Sequence, residues 1–150
     1  RILNMKRSVI FRVLPVFFVI SLIFCSCSAK SAATSEQFQK AAEDVGYTVE
    51  EQDAGGLISI HMASKDDTSA MVFYVCNSED EAKNAFTRLK ENLPDSVTPE
   101  EVDSSYYSKC TAENDESYYS IIRMGSTVLA SAVELSEKDN VLSVVNALGY

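Results

Sequence analysis

Four cysteines and a single histidine are the most chemically distinctive groups in this chain of 150 residues. Cys76 and Cys110 stand apart from Cys25 and Cys27, and in an exported protein such a pair is a candidate disulfide. Closing a loop of roughly 35 residues would contribute about 3–4 kcal/mol in the chain-entropy view. Both cysteines lie in strand-like runs, so two buried free thiols behaving as small apolar groups are the favoured alternative. His61 has no second histidine to join it, and zinc sites want three or four ligands. An ordinary surface histidine is expected, on the side of its strand away from Ile58, Ile60 and Met62. No G-x-S-x-G turn occurs, neither thiol has a histidine close in sequence, and no glycine-rich phosphate loop is present.

Carboxylates cluster at Glu50-Glu51, Asp66-Asp67, Glu79-Asp80-Glu81, Glu100-Glu101 and Glu113 to Glu116. A calcium loop needs alternating oxygen ligands, a glycine and a distant Glu, and Glu113-Asn114-Asp115-Glu116 lacks the spacing and the glycine. Solvated turns and helix starts account for all five clusters. The sequence therefore leads to no catalytic residue, no metal site and no cofactor.

Tyr106, Tyr107, Tyr118 and Tyr119 fall on the two strands of one expected hairpin. Alternation places Tyr106, Cys110, Tyr119 and Ile121 on one face with Ala130 and Ala132. Tyr107, Tyr118, Ile122 and Leu129 take the other. Small Ala130 and Ala132 suit close helix packing, which leaves Tyr107 and Tyr118 as a candidate partner surface. The strand propensity of tyrosine explains the same residues more simply.

The N-terminal stretch carries a different chemistry, that of a thiol presented for modification. Lys6, Arg7 and Arg12 precede an apolar run, Val13 to Phe24, whose one polar residue is Ser21. From Val13 to Cys27 is 15 residues, about 22 Å of helix against about 30 Å of hydrocarbon. With Pro15 inside it, the run fits a secretory signal better than a membrane span. The pattern starts at Met5, and Arg1 to Asn4 are expected to precede the native start. Cys25-Ser26-Cys27 resembles the bacterial lipoprotein signal, in which a small residue directly precedes the modified cysteine. Ser26 suits Cys27, whereas bulky Phe24 precedes Cys25, so Cys27 is the favoured lipidation site and Cys25 the alternative. Phe24, three before Cys27, departs from the usual leucine and keeps plain secretion open. The resemblance implies diacylglycerol on the thiol, and two or more acyl chains anchor a protein stably. Residues 28–34, rich in Ser, Ala and Thr, read as a flexible tether.

Charge divides sharply at the same point. Four of the 13 basic residues precede Cys27, while all 22 acidic residues follow it, which leaves the exported part at −13. That argues against nucleic acid and anionic headgroups as partners. About 120 residues remain, enough for one domain and one core, expected from Ser35 to Tyr150 as a monomer.

Three Ser-Glu pairs, at Ser35, Ser78 and Ser136, open helical patterns. Thr34 with Gln37, and Ser78 with Glu81, fit capping boxes. Gly46, Pro94 and Gly149 supply the stops. Strand patterns cover Tyr47 to Glu50, Leu57 to Ala63, Ala70 to Cys76, Val102 to Thr111, Ser117 to Arg123 and Thr127 to Leu135. Short turns between them make the sheet mostly antiparallel. The expected fold is α+β, a two-layer sandwich with helices on one face and element order α-βββ-α-βββ-α.

Phe38 with Ala41-Ala42 and Val45-Gly46-Tyr47-Thr48-Val49, then Ser78-Glu79-Asp80-Glu81-Ala82-Lys83, then Ala147-Leu148-Gly149-Tyr150, form a further set. With the signal, they resemble small uncharacterised lipoproteins of Gram-positive bacteria. That resemblance implies location and fold, and no activity. The expectation is a non-enzymatic, extracytoplasmic binding module held to the membrane by its N-terminal lipid, its partner an envelope protein or a small ligand. A small secreted enzyme or enzyme inhibitor with a cleft between sheet and helices is the alternative.

Overall fold

A computed structural model describes residues 31–150. The expected signal segment, with Cys25 and Cys27, lies outside the described residues. Helix α1 spans Ser35–Asp44, α2 spans Glu79–Glu91 and α3 spans Lys138–Leu148, the last preceded by a short 3-10 turn, Leu135–Glu137. The strands are β1 (Thr48–Gln52), β2 (Ser59–Ser64), β3 (Ala70–Val75), β4 (Glu100–Asp103), β5 (Tyr107–Glu113), β6 (Ser117–Met124) and β7 (Thr127–Glu134). They form one seven-stranded sheet in the order β1-β2-β3-β7-β6-β5-β4. Every pairing is antiparallel. The fold is α+β, as its sequence pattern indicates.

Local signals set the helix ends. Thr34 Oγ1 accepts from the Gln37 amide at 3.3 Å while Gln37 Oε1 accepts from the Thr34 amide at 2.9 Å, a complete capping box. At α2, Ser78 Oγ accepts from the Glu81 amide at 3.1 Å, but the Glu81 carboxylate reaches back to the Asn77 amide at 2.7 Å. Gly149 ends α3 at φ 75°, a left-handed value that favours glycine. Ser136 caps nothing: α3 starts later without a side-chain cap. The Glu137 carboxylate is drawn instead to Lys65 and Tyr47.

The structure corrects three expectations. Val102 to Thr111 is two strands rather than one, so four strands follow α2 and the order is α-βββ-α-ββββ-α. The break at Ser104–Tyr106 is held by Arg123 of β6, whose guanidinium donates to the carbonyls of Ser104, Ser105 and Tyr106 at 2.9, 3.3 and 3.2 Å. Helices cover both faces of the sheet rather than one. Adjacent Ile121 and Ile122 must point oppositely. Ile122 packs with Phe38, Phe73, Leu129, Val141 and Val144 under α1 and α3. Ile121 packs with Ala82, Phe86, Cys110 and Val128 under α2. Ala33, finally, expected in a flexible tether, is buried, and its amide donates to Tyr150 Oη at 3.0 Å.

The position of α2 follows from connectivity. It joins central β3 to β4 at the far edge, so it must cross one face of the sheet diagonally, and it rests on β6 and β7. On the other face α1 and α3 lie side by side, with Phe38 stacked on Phe73 at 5.2 Å. One helix on one face and two on the other leave unequal cover.

Candidate functional site: the uncovered half of the sheet

Strand register shows what α2 leaves open. Directly opposed residues point to one side, so Glu50, Met62, Val72, Ala130, Ile121 and Cys110 form a row across the α2 face. Thr48, Ser64, Ala70, Ala132, Tyr119 and Ala112 form the next. Cys110 and Ile121 lie buried beneath α2. Along the same row, Val72 and Ala130 are half-buried and Met62 is exposed. Ile60 is half-buried, and Ile58 just before β2 is 63% exposed. A depression of about 530 Å³ lies here, lined by Met62, Ser64, Asp66, Asp67, Ala70 and Ala132 among others.

This inverts the sequence expectation for β2. Ile58, Ile60 and Met62 do share a side, but it is the open one. Ser59 and Ala63 are buried, and His61 stands on the covered face opposite Phe73. Its Nδ1 is the one buried side-chain polar atom without a hydrogen-bond partner among the described residues.

Tyr107, Tyr118 and Tyr119 are divided as the alternation indicates, with the roles of the faces exchanged, while Tyr106 lies in the β4–β5 break rather than on a strand. Tyr118 is 4% exposed within the α1/α3 core, and Tyr107 is half-buried against it. Two helices took that face, so Tyr107 and Tyr118 form no exposed partner surface. Tyr119, Ala130 and Ala132 remain at the open side instead.

The α1/α3 face also has an uncovered flank, over β5. Lys109, Thr111 and Glu113 point there, with exposed Val102 at the edge. A depression of about 380 Å³ is lined by Thr98, Glu100, Lys109, Thr111, Tyr118 and Lys138, with Ala112 and Glu113. Lys138 pairs with Glu113 and sits 5.1 Å above the Tyr118 ring. Apart from Val102, this flank is polar, and Lys138 pairs with Glu113 within it.

Buried polar groups elsewhere are spent on the fold. Arg123 is 1% exposed. Besides its three carbonyls it donates through Nη2 to Ser108 Oγ at 2.9 Å, and Ser108 Oγ in turn donates to Asp103. A buried cation needs such compensation. At the opposite end of the sheet, Glu137 accepts from Lys65 at 2.8 Å, from Asn140 at 2.8 Å and from Tyr47 at 3.1 Å. Lys65 first and then Asn140 hold its carboxyl below the usual range. Burial, followed by the Glu137 charge, pushes the Tyr47 hydroxyl well up. From the sequence, Arg123 has no role and Glu137 only that of a helix start, because their partners lie far along the chain.

Cys76 and Cys110 are both free and buried, so the candidate disulfide is not formed. Cys76 follows β3, and β7 and β6 separate that strand from β5. Three strand spacings are about 14 Å, twice the reach of a disulfide. Burial raises both thiols, which leaves them weak nucleophiles. Among the described residues, no group of three or more His, Cys, Asp or Glu is placed to hold a metal. No described helix is long and apolar enough to cross a membrane.

No known family profile matches the chain, and no curated protein matches it. Its fold is similar to the crystal structure of a GTP binding regulator from Thermotoga maritima, with 13% identity, a TM-score of 0.52, and 77% of this chain and 87% of that one covered. At that identity the likeness shows a shared fold and nothing further.

Proposed function

We propose that the protein is a membrane-anchored, extracytoplasmic lipoprotein acting as a non-enzymatic binding module. Its recognition surface is the uncovered half of the α2 face. The observation that carries this reading is that exposed Met62 and Ile58 and half-buried Val72 and Ile60 share the part of one side of the sheet that no helix covers. Burying such side chains against a partner is worth about 25 cal/mol per Å² of apolar area, while leaving them wet gains nothing. The anchor rests on the signal-like N-terminus and Cys27, with Cys25 as the alternative. The GTP binding of the Thermotoga neighbour is not carried over, since the likeness extends to fold alone.

The enzyme or inhibitor reading would need convergent groups held ready for a substrate. Arg123, Glu137 and Tyr47 are instead engaged with structural partners, which favours the binding module.

Two experiments test the reading separately. Detergent-phase partitioning of the expressed protein is expected to be lost on Cys27→Ser; retention in that variant overturns the assignment to Cys27. Affinity capture from the native envelope is expected to return a partner that Met62→Lys loses. Capture unchanged by Met62→Lys would overturn the surface assignment.

A further inference from the structure

We propose that the open half of the α2 face takes a cationic amphipathic helix from a partner protein, an inference that rests on the binding-module reading above. Shape argues for a helix. The apolar strip runs across β2, β3, β7 and β6, three strand spacings or about 14 Å. One helix is about 10–12 Å across. The other face of the same sheet already carries two helices side by side, α1 and α3. A guest lying beside α2 would complete a second pair at the usual 8–10 Å separation. The floor suits close approach: Ala70, Ala130 and Ala132 are small, and Met62 has a flexible thioether that moulds to a neighbour.

Charge argues for a cationic guest. Glu50 stands beside Met62 in the same row, Glu134 lies at the exposed end of β7, and Asp66 and Asp67 line the depression. None of these four carboxylates is in an ion pair among the described residues. No lysine or arginine lines the depression. The rim therefore presents negative charge outside any ion pair around an apolar floor, with Thr68 donating to Asp66 and Glu134 as their hydrogen-bond partner. Complementary charge steers encounter and rejects like-charged surfaces. Anionic lipid, or a second copy of this acidic chain, would bring negative charge to a negative rim.

The test uses the full-length protein in zwitterionic-lipid nanodiscs, with empty nanodiscs as the blank. The probe is a fluorescent 18-residue helix bearing a leucine stripe flanked by lysines. Its matches are the same helix with glutamate for lysine, and a scrambled lysine–leucine peptide. Anisotropy is expected to show binding of the lysine helix, with the glutamate and scrambled peptides at least about tenfold weaker. Met62→Lys, at an already exposed position, is expected to weaken binding by about tenfold or more, and Glu50→Lys by several-fold. Glu100→Lys changes net charge equally at the distant edge strand and should leave affinity unaltered. Equal loss with Glu100→Lys reduces the effect to general electrostatics and overturns the proposal. So does equal binding of the glutamate or scrambled peptide. If the lysine helix fails while Met62→Lys still abolishes envelope capture, the cationic class falls and the binding-module reading stands. Self-association lost in Met62→Lys, read by sedimentation, would overturn it in favour of a second copy.

Discussion

The sheet has two uncovered flanks, and they are built differently. Over β5, on the α1/α3 face, Lys109, Thr111 and Glu113 meet the solvent and Lys138 closes on Glu113. Over β2 and β3, on the α2 face, exposed Met62 and half-buried Val72 and Ile60 face it instead. Both flanks arise from the same cause, three helices too few to cover two faces of seven strands. A flank that merely lacks cover tolerates polar residues, and the β5 side has them. Apolar residues on the other side are what a surface buried by a partner would retain. The strand edges point the same way. Outer strands β1 and β4 carry Glu50-Glu51 and Glu100-Glu101, charges that discourage edge-to-edge pairing. The open α2 face has an acidic rim but no charge on its floor.

The largest expected effect separates the covered sheet from the open flank. Ile122→Ala, at a position with no exposure beneath α1 and α3, should cost about 2–5 kcal/mol by urea unfolding. Met62→Ala should cost less than about 1 kcal/mol, as surface substitutions do. Equal costs would mean that Met62 belongs to the core and the comparison fails.

Next comes the β4–β5 corner, which Arg123 holds from the α2 side. Arg123→Met removes the donors that hold the carbonyls of Ser104, Ser105 and Tyr106. A loss of about 1–3 kcal/mol is expected, with faster amide exchange confined to the β4–β5 corner and envelope capture unchanged. Lost capture with an intact fold would show that this corner also binds.

A smaller effect is expected in acid. Glu137 ties the β2–β3 turn, through Lys65, to the start of α3. Its folded pKa is depressed, so its contribution is present above the unfolded carboxyl value and is lost as pH falls through the folded one. Thermal melts between about pH 6 and pH 3 should show a shallower acid limb for Glu137→Gln than for the unsubstituted protein. Parallel limbs would place the acid sensitivity elsewhere. Because Asp66 and Asp67 sit in the same turn, this clamp also bears on the rim of the apolar flank.

What the sequence made legible was local. Thr34 with Gln37 and Ser78 with the Glu81 amide marked helix starts, and Gly149 a stop, because each acts within one turn of chain. Strand alternation correctly separated Tyr118, Ile122 and Leu129 from Tyr119, Ile121 and Ala130. It did not reveal which face would be wet. Cover depends on how many helices each face receives, and that follows from α2 crossing between β3 and β4, a non-local choice. The Ser136-Glu137 signal matched the other two in type, yet Glu137 serves Lys65 and Tyr47, 72 and 90 residues away. An arginine in a strand reads as exposed, and Arg123 becomes intelligible only once the β4–β5 corner closes over it. The same ambiguity placed Tyr107 and Tyr118 outside when two helices bury them.

Site-specific photocrosslinking in the native envelope tests the contrast between the flanks most directly. A benzophenone amino acid replaces Met62 in one protein and Thr111 in another, one on each uncovered flank. A discrete adduct from position 62 and none from position 111 is the expected result. Equal adducts from both positions, or an adduct from position 111 alone, would contradict the account.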